Sequence, residues 1–535
     1  MKKTSWFLIV GLLLVSFAFG GGIVHNTNHS AEFIRLLARN ASTDIDAVYF
    51  NPAGITLLEE GFSFYLSNQT ISQERTVTSG AKTLNSDTFE GTTFAPVFPN
   101  VYAVYKTGNL AVGGGFLPIG GGGSAEFDKG LPSFEVPVSV LPASLSAAGI
   151  PTTKYSVNTS FKKTSVYYGF QADLGYKINE MLSVAVGGRY VSVNEKYEGY
   201  LKDIMINPNY PAFGADGSMT SATDFFADAT IKLRAAAVGA TTGAAALQPL
   251  IDAGAGGTTF ANLIAAGLID QATVDRTKAG FEQIGLTFDP ATLTPSSAQA
   301  IATTAATQFN ARADLMSANA TLTKDKELKD AVFTGSAFTP ILGVHLSPID
   351  GLDIGVRYEA KTSLELTTKT DINTTGLSEY DDGAKSNADM PAQLALGVGY
   401  RVMPSIRVAL DYNYYFNKNV NWDGREDDVE NGSEIGVGAE FKVSPRMLFS
   451  AGYLWSDSGV LPAYNNDISH SFTSHTFGTG GRYYFTQNNY LSLGAAATTY
   501  DDITNKDVDY MGLTTATETY DKTSVSFTLG FGFTL

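Results

Sequence analysis

The chain has 535 residues, with 54 Gly, no Cys, 17% charged residues and a formal net charge of −17. That length holds two to four ordinary domains or one large β structure, with enough chain to bury a sizeable core. The acidic balance argues against a nucleic-acid partner, and the missing cysteines exclude a disulfide scaffold, a thiol nucleophile and Cys-ligated metals.

Met1-Lys2-Lys3 supplies a positive start, Trp6 to Phe19 is an apolar run, and Ala18 and Gly20 are small residues at −3 and −1 of a cleavage site. Residues 1–20 therefore read as a secretory signal peptide, too short for a transmembrane helix. No later run approaches the ~18 apolar residues a spanning helix requires. Mean hydropathy is −0.01, a value that suits a soluble protein or a membrane barrel, because alternating strands average out. Residues 21–60 form a polar lead without clear period. It closes on Asn51-Pro52-Ala53-Gly54, a rigid turn in which Pro fixes φ and Gly accepts φ > 0.

After Gly61 the period is two. Strands are expected at 61–75, 98–107, 110–119, 161–178, 182–197, 332–346, 352–367, 388–402, 405–417, 434–443, 447–456, 472–486, 490–499 and 523–535. About fourteen result, an even number as single-chain bacterial barrels require. In "LSVAVGGRYVSV" Leu182, Val184, Val186 and Tyr190 share one face, and Ser183, Ala185, Gly187 and Arg189 the other. In "LDIGVRYEA" Leu352, Ile354, Val356 and Tyr358 oppose Asp353, Gly355, Arg357 and Glu359. One face suits lipid and the other a water-accessible lumen. A β-sandwich would alternate in the same way. Strand length decides, because several runs exceed the five or six residues usual in globular sheets. Connections also alternate, short ("KTGN", "INEM", "SPIDG", "VMPS", "VSPR", "TQNN") and long, as periplasmic turns and extracellular loops do. Aromatic residues near strand ends, such as Tyr414 and Tyr415, fit a membrane girdle or plain β-propensity. The last strand alternates Val525, Phe527, Leu529, Phe531, Phe533 and Leu535, as an outer-membrane assembly signal does, so the barrel-assembly machinery is an expected partner.

Residues 198–331 break the period and turn to Ala, Thr and Gly. Two or more helices are expected in one extracellular loop, with Leu263, Ile264, Leu268, Phe281 and Ile284 as apolar contacts and a capping box from Ser296 to Gln299. Such an insertion serves as a ligand-capturing lid over the barrel mouth or as a static decoration. The polar lead has too much irregular backbone for lipid, so its place is inside the barrel as a plug.

"ARNASTDIDAVYFNPAGI" resembles the hatch segment of the FadL-type family of outer-membrane transporters of long-chain fatty acids and other hydrophobic compounds. Asn51, Pro52 and Ala53 match that family's hatch motif, followed here by Gly54. "LAVGGGFLPIGGGGSAEFDKG", "MPAQLALGVGYRVMPSIRVALDYNYY" and the stretch from Arg446 to Phe485 are further similarities, and the insertion has none. The resemblance implies a monomeric fourteen-stranded barrel in a Gram-negative-type outer membrane, among lipid and lipopolysaccharide, with hatch 21–60 inside barrel 61–535. It implies passive, ligand-gated uptake and a kinked third strand with a lateral opening, for which Gly113-Gly114-Gly115 are the candidates. The alternative is that these small residues make room for the hatch.

A fatty acid needs a cation for its carboxylate. Arg189 and Arg357 fall on the expected lumen face as candidate contacts, or form internal ion pairs such as Arg357 with Glu359. No enzyme activity, metal or cofactor is implied. "HNTNH" places His25 and His29 at metal-like spacing without an accompanying Glu, and there is no Gly-x-Ser-x-Gly elbow. "DDG" (381–383) and "DGREDD" (423–428) are acidic tips that are solvated or bridge lipopolysaccharide through divalent ions. The competing readings are a structural or adhesive surface protein, a hydrophilic-solute porin and, third, an outer-membrane lipase.

Overall fold

The computed structural model describes residues 29–535. The expected signal peptide and residues 21–28, with His25, lie outside the described residues. Among the described residues fourteen long antiparallel strands close into a barrel. They are β1 (Gly61–Ser79), β2 (Thr88–Thr107), β3 (Leu110–Phe127), β4 (Tyr155–Lys177), β5 (Leu182–Ile206), β6 (Lys326–Ile349), β7 (Leu352–Glu359), β8 (Gln393–Met403), β9 (Ile406–Tyr415), β10 (Gly432–Ser444), β11 (Met447–Asp457), β12 (Ser474–Tyr484), β13 (Asn489–Tyr500) and β14 (Thr515–Thr534). Each pairs with its sequence neighbours, and β1 pairs with β14 from Ser63↔Thr534 to Ser79↔Glu518. Closure leaves no unpaired edge in lipid.

The pleat sorts side chains as the alternation required. On β14 Val525, Phe527, Leu529 and Phe531 are exposed, while Ser524, Ser526 and Thr528 are buried. On β5 Val186 and Tyr190 point out and Ser183, Ala185 and Arg189 point in. Turns between paired strands are tight; at two of them Gly108 (φ +56°) and Gly351 (φ +79°) take the left-handed conformation that β-branched residues resist.

The strands differ from expectation mainly at the long-loop end. β1 to β6 and β14 run several residues further there, and in β4 and β14 the added stretches, "YSVNTS" and "TATETYDK", are rich in Thr and Ser. The hydrophobic alternation that marks a strand ends before the hydrogen-bond ladder does. In consequence the helical insertion is narrower than 198–331, lying between Ile206 and Lys326. The seventh strand, expected to run to 367, stops at Glu359 and resumes at Glu365–Lys369. The eighth begins at Gln393 rather than 388. Pro391, which has no N–H for the ladder, sits in that break, where a lone bridge joins Thr362 to Met390.

The kink expected at Gly113-Gly114-Gly115 is elsewhere. Those three residues pair in unbroken register with Val104, Ala103 and Tyr102 of β2 and with Asp173, Ala172 and Gln171 of β4. The irregularity follows them. Pairing with β2 jumps from Val101↔Phe116 to Thr93↔Ala125, so β3 advances nine residues while β2 advances eight. Pairing with β4 slips twice, between Pro118 and Gly120 and between Gly120 and Gly123. Gly121 (φ +91°) and Gly123 (φ +77°) supply the left-handed backbone the bulges need. On the β2 side the Pro96 carbonyl accepts from Asn68 (3.1 Å) and Thr70 (2.9 Å), both side chains of β1.

The strand framework and residues 29–58 belong to one compact unit, and residues 137–158 with 202–325 to another. The second unit has its own core. The helix Ala222–Ala246 lies along the helix Pro295–Leu322, with Ala229, Ala237, Ala240, Ala302 and Ala313 buried, small residues that let two helix backbones approach. Phe260 and Leu263 of the helix Phe260–Ala265 and Val274 and Phe281 of the helix Gln271–Gln283 are buried too. The helical contacts expected at Leu263 and Phe281 are made, but Leu268 is 66% exposed. The capping box is Thr294 with Ser297, two residues before the expected Ser296–Gln299, with Pro295 at the first helical position.

Candidate functional site

Residues 29–58 fold into α1 (Ala31–Arg35), α2 (Ala47–Phe50) and a 3₁₀ turn (Pro52–Leu57), all nearly devoid of solvent contact. Their neighbours lie on opposite sides of the strand circuit, β12 to β14 for α1 and β3, β6 and β7 for the Pro52 turn. Much of the Gly content of the strands is explained here. A Cβ on Gly452 would sit 2.9 Å from the Leu37 nitrogen, one on Gly343 3.2 Å from the Ala53 nitrogen, and one on Gly113 3.1 Å from a Val48 methyl. Gly113 therefore makes room for the inner segment, which is the alternative reading of that glycine run.

The inner segment is seated by charge. Glu32 pairs with Arg35 (2.7 Å) and with Arg482 of β12, Arg35 with Glu440 of β10 (2.6 Å), and Arg39 with Asp46 (2.6 Å) and Asp44 (2.8 Å). Asp44 returns to Arg482 at 2.9 Å. Asp411 of β9 accepts the backbone N–H groups of Arg39 and Asn40. Buried charges are costly unless paired and hydrogen-bonded. Asn51 donates to the Ser42 carbonyl (2.9 Å) and meets His345 Nδ1 of β6 (2.8 Å), which ties the Asn-Pro-Ala turn to the wall.

Arg189 and Arg357 both point inward and converge on one carboxylate, Glu359, at 2.9 and 3.2 Å. Between them lies the Tyr49 ring, 4.8 Å from the Arg189 guanidinium and 4.9 Å from that of Arg357. Arg357 also donates to the Tyr49 carbonyl and Gln171 of β4 to that of Val48. These two arginines clamp the inner segment, the internal-pair alternative the sequence left open.

Toward the long-loop end the lumen opens into a cavity of about 380 Å³. Phe33 and Phe50, stacked at 5.3 Å, form part of its apolar lining, and Gly120, Gly121 and Gly123 of the irregular β3 stretch line it as well. The rest is rich in hydroxyls, among them Ser456, Ser471, Ser524 and Ser526, with four cations, Arg75, Lys163, Lys522 and the Arg357 already paired with Glu359. Two acids line it, each already engaged. Glu434 accepts from Tyr415 (2.6 Å) and Ser456 (2.8 Å), Glu195 from Ser165 and Tyr167 (both 3.0 Å). His470, on the loop before β12, stacks on Tyr520 at 5.0 Å. Burial, reinforced by the Arg75 charge, lowers its pKa to about 3, so it is neutral.

His29, the described member of the "HNTNH" pair, meets Gln69 at 3.2 Å. In the acidic tips Asp423 accepts from Asn387 and Glu426 from the Trp422 and Gly424 N–H groups, so both carboxylates are used to shape the loop. The sequence reading missed Arg75, Lys163, Lys522 and the Glu32–Arg482 network. Arg75 closes the expected first strand on its inward parity, and Lys522 lies on the inward parity of β14 one residue before the expected start at 523, so tracing β14 to its true end would have brought the two together.

Residues 291–485 match the family described as outer membrane protein beta-barrel domain. No curated protein matches the sequence. Among solved structures, a Pseudomonas aeruginosa FadL homologue superposes with a TM-score of 0.57 at 11% identity, over 96% of this chain and 99% of that one. The Pseudomonas putida toluene transporter TodX gives 0.50 at 14% identity, over 96% and 100%. The fold is that of the FadL-type barrel. The resemblance read from the Asn-Pro-Ala stretch holds at the level of the fold, and the chain is a protein of a Gram-negative-type outer membrane.

Proposed function

We propose that the protein admits hydrophobic molecules bearing an acid group, such as long-chain fatty acids, through the outer membrane by passive diffusion, without catalysis. The observation that carries this reading is the continuity between the cavity and the β2–β3 seam: Gly120, Gly121 and Gly123 line the cavity at the very residues where the ladder loses register. On the outer surface of that seam Phe94 and Val97 are 66% and 68% exposed, an apolar rim facing lipid. Residues 29–58 act as the hatch. They fill the lumen at the short-turn end, so a molecule entering the cavity leaves sideways into the bilayer or waits for the hatch to shift. The solved structures that share this fold include a toluene transporter, which suits a route for apolar cargo. A hydrophilic porin would need an open lumen, which the seated segment denies.

The test is native mass spectrometry and lipid extraction of detergent-purified protein, with displacement of a fluorescent fatty acid alongside. A bound acyl chain displaced by oleate is the expected result. No apolar ligand and no displacement would transfer the argument to a structural surface barrel with a permanent seal.

A further inference from the structure

Four side-chain atoms of the cavity lining are cut off from solvent without a hydrogen-bond partner: Arg75 Nε, Arg357 Nε, Ser458 Oγ and His470 Nε2. Arg357 belongs to the Glu359 ion pair and the Ser458 hydroxyl can turn to donate or accept, whereas Arg75 Nε is a donor without an acceptor and His470 Nε2 calls for the opposite chemistry. His470 Nδ1 lies 3.1 Å from the Asn466 carbonyl, which can only accept, so Nδ1 carries the proton and Nε2 is a bare lone pair. A buried acceptor of this kind costs free energy until a donor meets it.

Arg75 has a second peculiarity. It stands directly across the β1–β14 ladder from Lys522, and both project into the cavity. Like charges directly opposite on neighbouring strands repel. Neither has a carboxylate partner among the described residues. Arg75 reaches Gln73 at 3.3 Å, and the Lys522 ammonium lies over the Tyr500 ring at 4.5 Å. Cross-strand neighbours have Cβ atoms about 5 Å apart, a span one carboxylate bridges with an oxygen to each cation.

We propose that Arg75, Lys522 and His470 form a head-group site for a hydroxylated carboxylic acid, the carboxylate held between the two cations and the hydroxyl donating to His470 Nε2. This rests on the reading of the cavity as a site for acid-bearing amphiphiles and names which acids it prefers. A plain fatty acid answers the cations and leaves His470 Nε2 orphaned. A fully ionised phosphate brings only acceptors, which the Nε2 lone pair repels. A hydroxyl close to the carboxylate supplies the missing donor.

The experiment measures the affinity of the detergent-purified full chain for dodecanoate, 2-hydroxydodecanoate, 3-hydroxydodecanoate and dodecyl phosphate. The wild type is compared with His470→Phe, which keeps the ring on Tyr520, His470→Gln, which retains an acceptor, and Arg75→Gln. The expected result is that one hydroxy acid binds about tenfold more tightly than dodecanoate, the worth of one buried hydrogen bond. His470→Phe brings that ratio to about one, His470→Gln restores part of it, and Arg75→Gln weakens all the acids. Equal binding of dodecanoate and both hydroxy acids would overturn the site while leaving uptake of acids standing. So would a preference that survives His470→Phe, or tightest binding of dodecyl phosphate. Binding of none of the four would remove the acid-uptake reading itself.

Discussion

The two ends of the lumen are built on opposite principles. At the short-turn end the strong charges are answered by the chain itself: Arg482 of the wall pairs with Glu32 and Asp44 of the inner segment and Glu440 with Arg35, while Arg189 and Arg357 share Glu359 of the wall around the Tyr49 ring. At the long-loop end the cavity keeps Arg75 and Lys522 side by side without a carboxylate, and its two acids are capped by hydroxyls. One end is filled by the chain itself, and the other is left to be filled from outside. Buried ion pairs add little net stability but are costly to break from one side, so they fix where the inner segment sits.

The largest expected effect breaks the filled end. Glu32→Ala strips a carboxylate from two buried guanidiniums, Arg35 and Arg482, at a cost of about 3–5 kcal/mol to the seating of residues 29–58. In planar bilayers the wild type should carry almost no ion current and the variant should conduct, with the barrel's heat-modifiability unchanged. A variant as closed as the wild type would show that packing, not charge, holds the segment. Tyr49→Ala removes the ring shared by Arg189 and Arg357 and should cost about 2–4 kcal/mol, two partly desolvated cation–π contacts. It should raise protease cleavage within 29–58 by less than Glu32→Ala does. Gly113→Ala pushes a methyl toward Val48 and Ile55 and should cost about 1 kcal/mol, with the same protease readout. Fatty acid binding should be untouched, because the irregular stretch begins five residues later. The smallest effect sharpens the open end. With the His470 pKa lowered to about 3 by burial, the imidazole stays neutral throughout pH 5–8, so the hydroxy-acid preference should not change across that range. A preference that appears or vanishes near pH 6.5 would mean the ring titrates like an exposed histidine.

Much of the barrel was legible in the sequence because lipid enforces a strict alternation. Val184 and Arg357 could be assigned to a face from their neighbours alone. What the sequence hid lies where that enforcement ends. Beyond the apolar band the ladder of β14 continues through "TATETYDK", rich in Thr, and carries Lys522 with it, opposite Arg75 at the end of the expected first strand. The glycine runs misled for a related reason. Gly113-Gly114-Gly115 and Gly120 to Gly123 look alike as sequence. The first run is small at Gly113 because the inner segment presses there, the second because positive φ at Gly121 and Gly123 is needed to slip the register. Only the partner across the lumen tells them apart, and that partner, Val48, is remote in sequence. The roles of Arg189 and Arg357 stayed open for the same reason, since parity places a side chain in the lumen without saying which group meets it there.

The most direct test locks the β2–β3 seam. A Cβ built on Gly123 lies 3.3 Å from the Ala95 Cβ, near the roughly 3.5–4.5 Å separation of a disulfide, and the chain has no native cysteine to compete. Cells lacking the wild-type protein and expressing Ala95→Cys with Gly123→Cys would be assayed for uptake of a labelled long-chain fatty acid, oxidised and then reduced, with both single variants alongside. The strain of a side chain at φ +77° is common to both redox states and cancels. The account predicts that oxidation drops uptake to the level of the deletion strain and that reductant restores it. Full uptake with the cross-link formed would contradict a lateral route through this seam.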